Sequence, residues 1–158
     1  MTTLSKGDLA PDFSLPTDKG TTFTLSEHRG HPVVLFFYPE DDTEGCTIEN
    51  QEFTALASDF EARGALLLGV SPDSVEKHCK FRDKYGLGAD LVSDQHHVAI
   101  RSFGVWQKKS MYGREYDGIV RMSFVIDADG RIADVIKASR VKGHAEKVLA
   151  SLDAALSR

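Results

Sequence analysis

Val33-Val34-Leu35-Phe36-Phe37-Tyr38 runs straight into Pro39-Glu40-Asp41-Asp42-Thr43-Glu44-Gly45-Cys46, and the contrast between the two halves decides the fold. Six consecutive apolar, β-branched or aromatic residues are too continuous for a strand with one wet face. They read as a central strand covered on both sides. Pro39 lacks a backbone donor and ends it. Beyond the turn, Ile48, Phe53, Leu56, Ala57 and Phe60 recur at roughly helical spacing until Gly64, so Cys46 stands at the entrance of a helix. A helix N-terminus presents unpaired N–H groups and about half a positive charge, a setting that favours a thiolate over a thiol.

Working outward, Phe13–Leu15 and Thr22–Leu25 lie among prolines and glycines and read as an N-terminal β-hairpin. Ala65–Ser71 is a second strand, followed by a helix from Val75 to Tyr85 that Gly86 stops. After Leu91–Ser93, Asp94 caps a short helix through Ser102, and Phe103-Gly104-Val105-Trp106 leads into an exposed polar loop containing Gly113. Ile119–Ile126 and Ile132–Ile136 flank the turn Asp127-Ala128-Asp129-Gly130, and Ala145, Val148, Leu149, Leu152 and Leu156 form a closing amphipathic helix. The order predicts an α/β protein with a mixed central sheet flanked by helices, which a thioredoxin-like sandwich satisfies.

A chain of 158 residues predicts a single domain over 1–158. With 41% hydrophobic and 27% charged residues it reads as a soluble globular protein without a membrane span. Its net charge of −5 argues against nucleic acid as a partner. The start, Met1-Thr2-Thr3-Leu4-Ser5-Lys6, has no apolar signal stretch, and there are only two cysteines; a reducing cytoplasm fits both. No Cys-x-x-Cys exists, which excludes a thioredoxin-type dithiol motif and a cysteine-rich zinc site, and the six histidines are scattered apart from His96-His97, so metal binding is not expected. Glu40–Gly45 imitates part of an EF-hand, but Gln51 stands where the bidentate Glu belongs.

An attacking cysteine must lose its proton near neutral pH. Thr43 offers a hydroxyl to sulfur or to a bound oxygen, Gly45 permits close approach, and Pro39 shields the pocket from water. Glu40, Asp41, Asp42 and Glu44 work against a thiolate, so a compensating cation is expected, with Arg121 the best candidate.

Pro39-x-x-x-Thr43-x-x-Cys46, Glu49, and Arg121 within Arg-x-Ser-Phe-Val-Ile-Asp resemble the peroxiredoxins. Gly7–Phe13, Phe103–Trp106 and Tyr116–Ile119 look like the bacterioferritin comigratory protein, or PrxQ, subgroup, and the resemblance covers nearly the whole chain. It implies a thiol peroxidase in which Cys46 is the peroxidatic nucleophile. Thr43 and Arg121 orient the peroxide, Pro39 shields the intermediate, and Glu49 supports Arg121. It also implies a monomer recycled by thioredoxin or a similar dithiol, with no metal or bound organic cofactor.

Many members of that family place a resolving cysteine five residues after the first, where this chain has Gln51. Others carry it on the helix after the second strand, where Cys79 lies. Two readings of Cys79 stand: it closes an intramolecular disulfide with Cys46, or it is a half-buried apolar residue and an external thiol resolves a one-cysteine enzyme. A non-enzymatic redox sensor or holdase would use the same residues. Trp106, Met111 and Tyr112 read either as a collar around the peroxide entrance or as packing anchors.

Overall fold

The structure, a computed structural model, describes residues 4–157. Met1 to Thr3 and Arg158, which the single-domain and signal-sequence expectations include, lie outside the described residues. Among the described residues, nine strands and five α-helices follow one another as β1 (Ser14–Pro16), β2 (Thr22–Thr24), β3 (Val33–Phe37), α1 (Glu44–Ala55), α2 (Ala57–Ala62), β4 (Leu66–Ser71), α3 (Val75–Tyr85), β5 (Asp90–Ser93), α4 (Val98–Ser102), β6 (Trp106–Met111), β7 (Arg114–Ile119), β8 (Met122–Ile126), β9 (Ile132–Lys137) and α5 (His144–Leu156).

The central sheet runs β5-β4-β3-β8-β9. Strands β3, β4 and β5 are parallel, because helices carry the chain back between them; β8 and β9 are antiparallel and joined by the Asp127–Gly130 turn. Strand β3 sits in the middle and is buried throughout. Its alternate residues feed two cores: Val33, Leu35 and Phe37 face β1–β2, α4 and Phe103, whereas Val34 and Phe36 face α1, α2, α3 and α5. This is the mixed, helix-flanked sheet with an N-terminal hairpin that the sequence predicts.

Gly69 is required by this packing. A Cβ there would lie 2.8 Å from the Phe36 ring and 3.0 Å from the Tyr38 ring. The bare backbone of β4 lets Phe36 stack on Phe53, with ring centroids 4.1 Å apart, so that β3 and α1 meet directly beneath the Cys46 turn.

Three expectations need correction. The polar segment after Trp106 is a two-stranded hairpin, β6–β7, turning on Tyr112-Gly113 with positive φ at both residues (53° and 77°). Its burial shows no alternation, so no hydrophobic period marked it. The strand read as Ile119–Ile126 is broken at Val120–Arg121, and the helix read through to Gly64 is two helices divided at Leu56. Among the described residues no helix is long and apolar enough to cross a membrane.

Candidate active site around Cys46

Helix α1 begins at Glu44, with Thr43 in extended conformation (φ −90°, ψ 157°) as the preceding residue, so Cys46 occupies its third position. The thiol is wholly buried, packed in the core of Val34, Phe36, Tyr38 and Phe53, and free of any disulfide. The Thr43 hydroxyl donates to the Glu40 carbonyl at 2.9 Å and accepts from no N–H of the helix, so Thr43 does not cap this N-terminus. The Thr43 hydroxyl therefore leaves the dipole end of α1 open at Cys46, although Glu44 places a carboxylate in the same first turn.

Arg121 comes from the break between β7 and β8, where Ala138 of the β9 side donates to its backbone carbonyl at 2.9 Å. Its guanidinium donates to Glu49 Oε1 at 3.0 Å and lies against the start of α1. A Cβ on Gly45 would stand 2.9 Å from Arg121 Nη2, so only glycine lets the guanidinium sit where it does. Arg121 thus reaches Glu49 and Gly45, the residue before Cys46, at one helix end, and Pro39 lies half-buried after β3.

Glu49 is 1% exposed, and its Oε2 has no hydrogen-bond partner. Burial pushes its carboxyl up to about 7, with Arg121 pulling the other way. One oxygen held by a guanidinium and the other held by nothing describes a carboxyl poised to exchange a proton near neutrality.

The side chains of the acidic loop find partners on α3. Glu40 pairs with Lys77 at 3.1 Å, Asp41 with His78 at 2.6 Å, and Asp42 with Lys84 at 2.9 Å; Tyr85 also donates to Asp42 at 2.7 Å. All four partners are on α3. The hydrogen bonds from Lys84 and Tyr85 hold the Asp42 carboxyl below its usual range. Arg121 is therefore not the counterion of these carboxylates, and its charge is directed at Glu49 and the helix end. Tyr38 and the Asp73 carboxylate hold Asp41 in its buried place, Tyr38 Oη donating to Asp41 Oδ1 at 2.6 Å and Asp41 N to Asp73 Oδ2 at 2.8 Å. Ligand atoms of Asp41, Asp73 and His78 lie within 4.8 Å of one another, a metal-like spacing, but all three residues are engaged in hydrogen bonds.

Lys109 was missed by sequence reasoning. From β6 it donates to the Ile119 carbonyl at 2.9 Å, and burial followed by the charge of Arg121 lowers its pKa while Cys46 opposes that shift. With Lys108, Lys137 and Arg121 it lines a cleft of about 560 Å³ that has no carboxylate on its wall among the described residues. The Lys108-Lys109 pair was visible, but its place beside Arg121 depends on a hairpin without an apolar period. Trp106 is no collar: its ring packs on His97 (4.8 Å) and under Arg101 (5.6 Å), while Tyr112 is 98% exposed at the hairpin tip.

Cys79 is half-buried on α3 and donates its thiol to the Asp18 carbonyl at 3.2 Å. His78 and Phe81 are the buried residues of that helix. Cys79 sits at their flank, as the helical spacing predicts, and turns toward the N-terminal segment.

Comparison with known proteins agrees with this geometry. Residues 6–135 match the AhpC/TSA family. The chain is 41% identical to peroxiredoxin Bcp of Bacillus subtilis over 95% of its own length and 96% of that protein's. It is 40% identical to peroxiredoxin Bcp of Escherichia coli over 94% and 96%. Among solved structures it superposes on the Xanthomonas campestris bacterioferritin comigratory protein, described for alkyl peroxide reduction, with a TM-score of 0.87 at 40% identity and 98% coverage of both chains. A PrxQ variant from Xylella fastidiosa gives 0.90 at 37% identity, again covering 98% of each. The chain belongs to the AhpC/TSA family of peroxiredoxins, in its Bcp/PrxQ branch.

Proposed function

With that membership as premise, we propose that the chain is a thiol peroxidase for hydrogen peroxide and organic hydroperoxides, with Cys46 as the nucleophile. The observation that carries the reading is the convergence of a buried Cys46, an uncapped helix N-terminus and the Arg121 guanidinium over Gly45. Cys46 sulfur attacks one peroxide oxygen in line with the O–O bond; the S–O bond forms as O–O breaks. The departing oxygen takes the proton that the Cys46 thiol gave up and leaves as water or an alcohol, and Cys46 becomes a sulfenic acid. Charge grows on that departing oxygen, where preorganised donors have their largest effect. Arg121 and the first-turn N–H groups of α1 supply them, and Thr43, released from Glu40, adds a hydroxyl. Glu49 keeps Arg121 in place, and Pro39 covers the sulfenic acid from solvent.

Cys79 then resolves Cys46 as an intramolecular disulfide, and thioredoxin in the cytoplasm reduces it, with the protein acting as a monomer. A free, half-buried thiol on the helix next to the Cys46 loop supports the resolving role. Neither thiol can reach the other without local opening, because Cys46 is enclosed and Cys79 is turned to Asp18.

Peroxide consumption with thioredoxin and its reductase tests the reading. Cys46→Ser abolishes it, and Cys79→Ser spares the first oxidation while impairing cycling. Sustained turnover separates a peroxidase from a redox sensor, which is oxidised once. Full cycling by Cys79→Ser assigns resolution to an external thiol.

A further inference from the structure

The cleft beside Arg121 gathers cations that no carboxylate answers. Asp and Glu outnumber Lys and Arg by 24 to 19 in this chain, and Lys6, Lys19, Lys77 and Lys84 each meet an acid. Lys108, Lys109 and Lys137, which line the cleft, meet none among the described residues. The backbone fixes their places. Strands β6 and β7 pair Lys109 with Tyr116 and Gln107 with Gly118, so Lys109 and Gly118 share one face of the hairpin. A Cβ on Gly118 would stand 3.0 Å from Lys109 Cδ. Without it the lysine stem lies across β7, and its ammonium donates to the Ile119 carbonyl at 2.9 Å, beside the break that carries Arg121. An ammonium has further donors, and these are open to the cleft. Lys137 comes from the opposite wall: it pairs with Met122, and the next residue, Ala138, donates to the Arg121 carbonyl. Arg121 belongs to both places, with Nη1 on Glu49 and Nη2 over Gly45. Because burial raises the Glu49 carboxyl to about 7, near neutrality it cancels only part of the guanidinium charge.

We infer that this cleft is an acid-group subsite: while the O–O bond of an organic hydroperoxide lies at Cys46, the cleft holds a carboxylate on the same molecule, and the site selects acid-bearing hydroperoxides over neutral ones of equal size. The inference rests on the peroxidase reading given above. Lys108, Lys109 and Lys137 are its specificity-determining residues. A wall of one sign focuses the field at its mouth and raises the rate at which an oppositely charged molecule arrives. The carboxylate itself makes and breaks no bond. The S–O bond forms and the O–O bond breaks as for any hydroperoxide, and the product is the corresponding hydroxy acid. Hydrogen peroxide carries no acid group and gains nothing from the cleft.

The test compares single-turnover oxidation of Cys46 by 4-hydroperoxy-4-methylpentanoate with that by its methyl ester, which has the same carbon frame at the peroxide and no charge. The readout is the ratio of the two second-order rate constants, in which any general change at Cys46 cancels. Wild type is expected to prefer the acid about tenfold at low salt, the lower end of electrostatic steering. Raising salt from about 0.1 M to about 1 M shortens the screening length from about 10 Å to about 3 Å and should remove most of the preference. Lys109→Met and the surface double variant Lys108→Met/Lys137→Met should each bring the ratio towards one. If Lys109→Met does not fold, the double variant decides, since both of its lysines are exposed. A wild-type ratio near one overturns the subsite and leaves the peroxidase intact. A ratio unchanged in the double variant, with thioredoxin-supported cycling slowed, also overturns it and assigns the cations to an acidic reductant. Failure of Cys46 to react with tert-butyl hydroperoxide and with both probes removes the peroxidase reading itself.

Discussion

Glu49→Gln should make the protein more stable above neutral pH while weakening its activity. The folded carboxyl is pushed up to about 7 from an ordinary 4.5, so the folded state holds its proton more tightly than the unfolded chain does. Stability from this group is complete below pH 4.5, declines as pH rises from 4.5 to 7, and is constant at its lowest above 7. The interval of about 2.5 units corresponds to about 3 kcal/mol at 1.36 kcal/mol per unit. Glutamine has the shape of the neutral acid and no ionisation to undergo. It leaves an amide N–H₂ where Oε2 already lacks a partner, a cost of about 1 kcal/mol, so the net gain at pH 8 is about 2 kcal/mol. With a urea slope of about 2 kcal/mol per M, the midpoint moves up by roughly 1 M. Urea melts followed by far-UV circular dichroism at pH 5, 6, 7 and 8 measure it. His144 titrates in the opposite sense: burial, then Lys147 and Arg121, lower its pKa to about 4, so its contribution is lost as pH falls from 6.5 towards 4. Both proteins contain His144, and the difference between them isolates Glu49. Parallel midpoints from pH 5 to 8 would refute the reasoning, as would a variant less stable at pH 8.

Gly45→Ala places a methyl carbon 2.9 Å from Arg121 Nη2 and displaces the guanidinium; single-turnover oxidation should slow by about 10²-fold with melting little changed. Gly69→Ala drives a Cβ into the Phe36 and Tyr38 rings and should cost about 1–3 kcal/mol in a denaturant melt. Ser123→Ala removes the 2.7 Å hydrogen bond to the buried His144 Nε2 and should cost about 1–3 kcal/mol at pH 7. An unchanged melting midpoint in either variant contradicts the packing described.

The legible parts of this chain are those where burial imposes a period. Val33–Tyr38 could be placed because both faces are covered, and α3 because Ser74 caps it through Lys77 N at 3.1 Å and Gly86 ends it at φ 61°. Cys46, Gly45 and Arg121 were legible as chemistry attached to such elements. The hairpin of Lys109 was not, since strands wet on both sides carry no hydrophobic signal. The partners of the acidic loop were hidden for another reason. Charge in a sequence has sign but no direction, and Lys77 and Lys84 are more than thirty residues from the carboxylates they meet.

Strand β3 divides its side chains between two cores, and the thiol chemistry belongs to only one of them. Cys46 is buried in the layer of Phe53, Phe81 and Tyr38, whereas the layer of Phe13, Phe103 and Phe124 contains neither cysteine. In the proposed cycle, a movement that exposes Cys46 disturbs the first layer and leaves the second intact, as a mould against which the first can be recast.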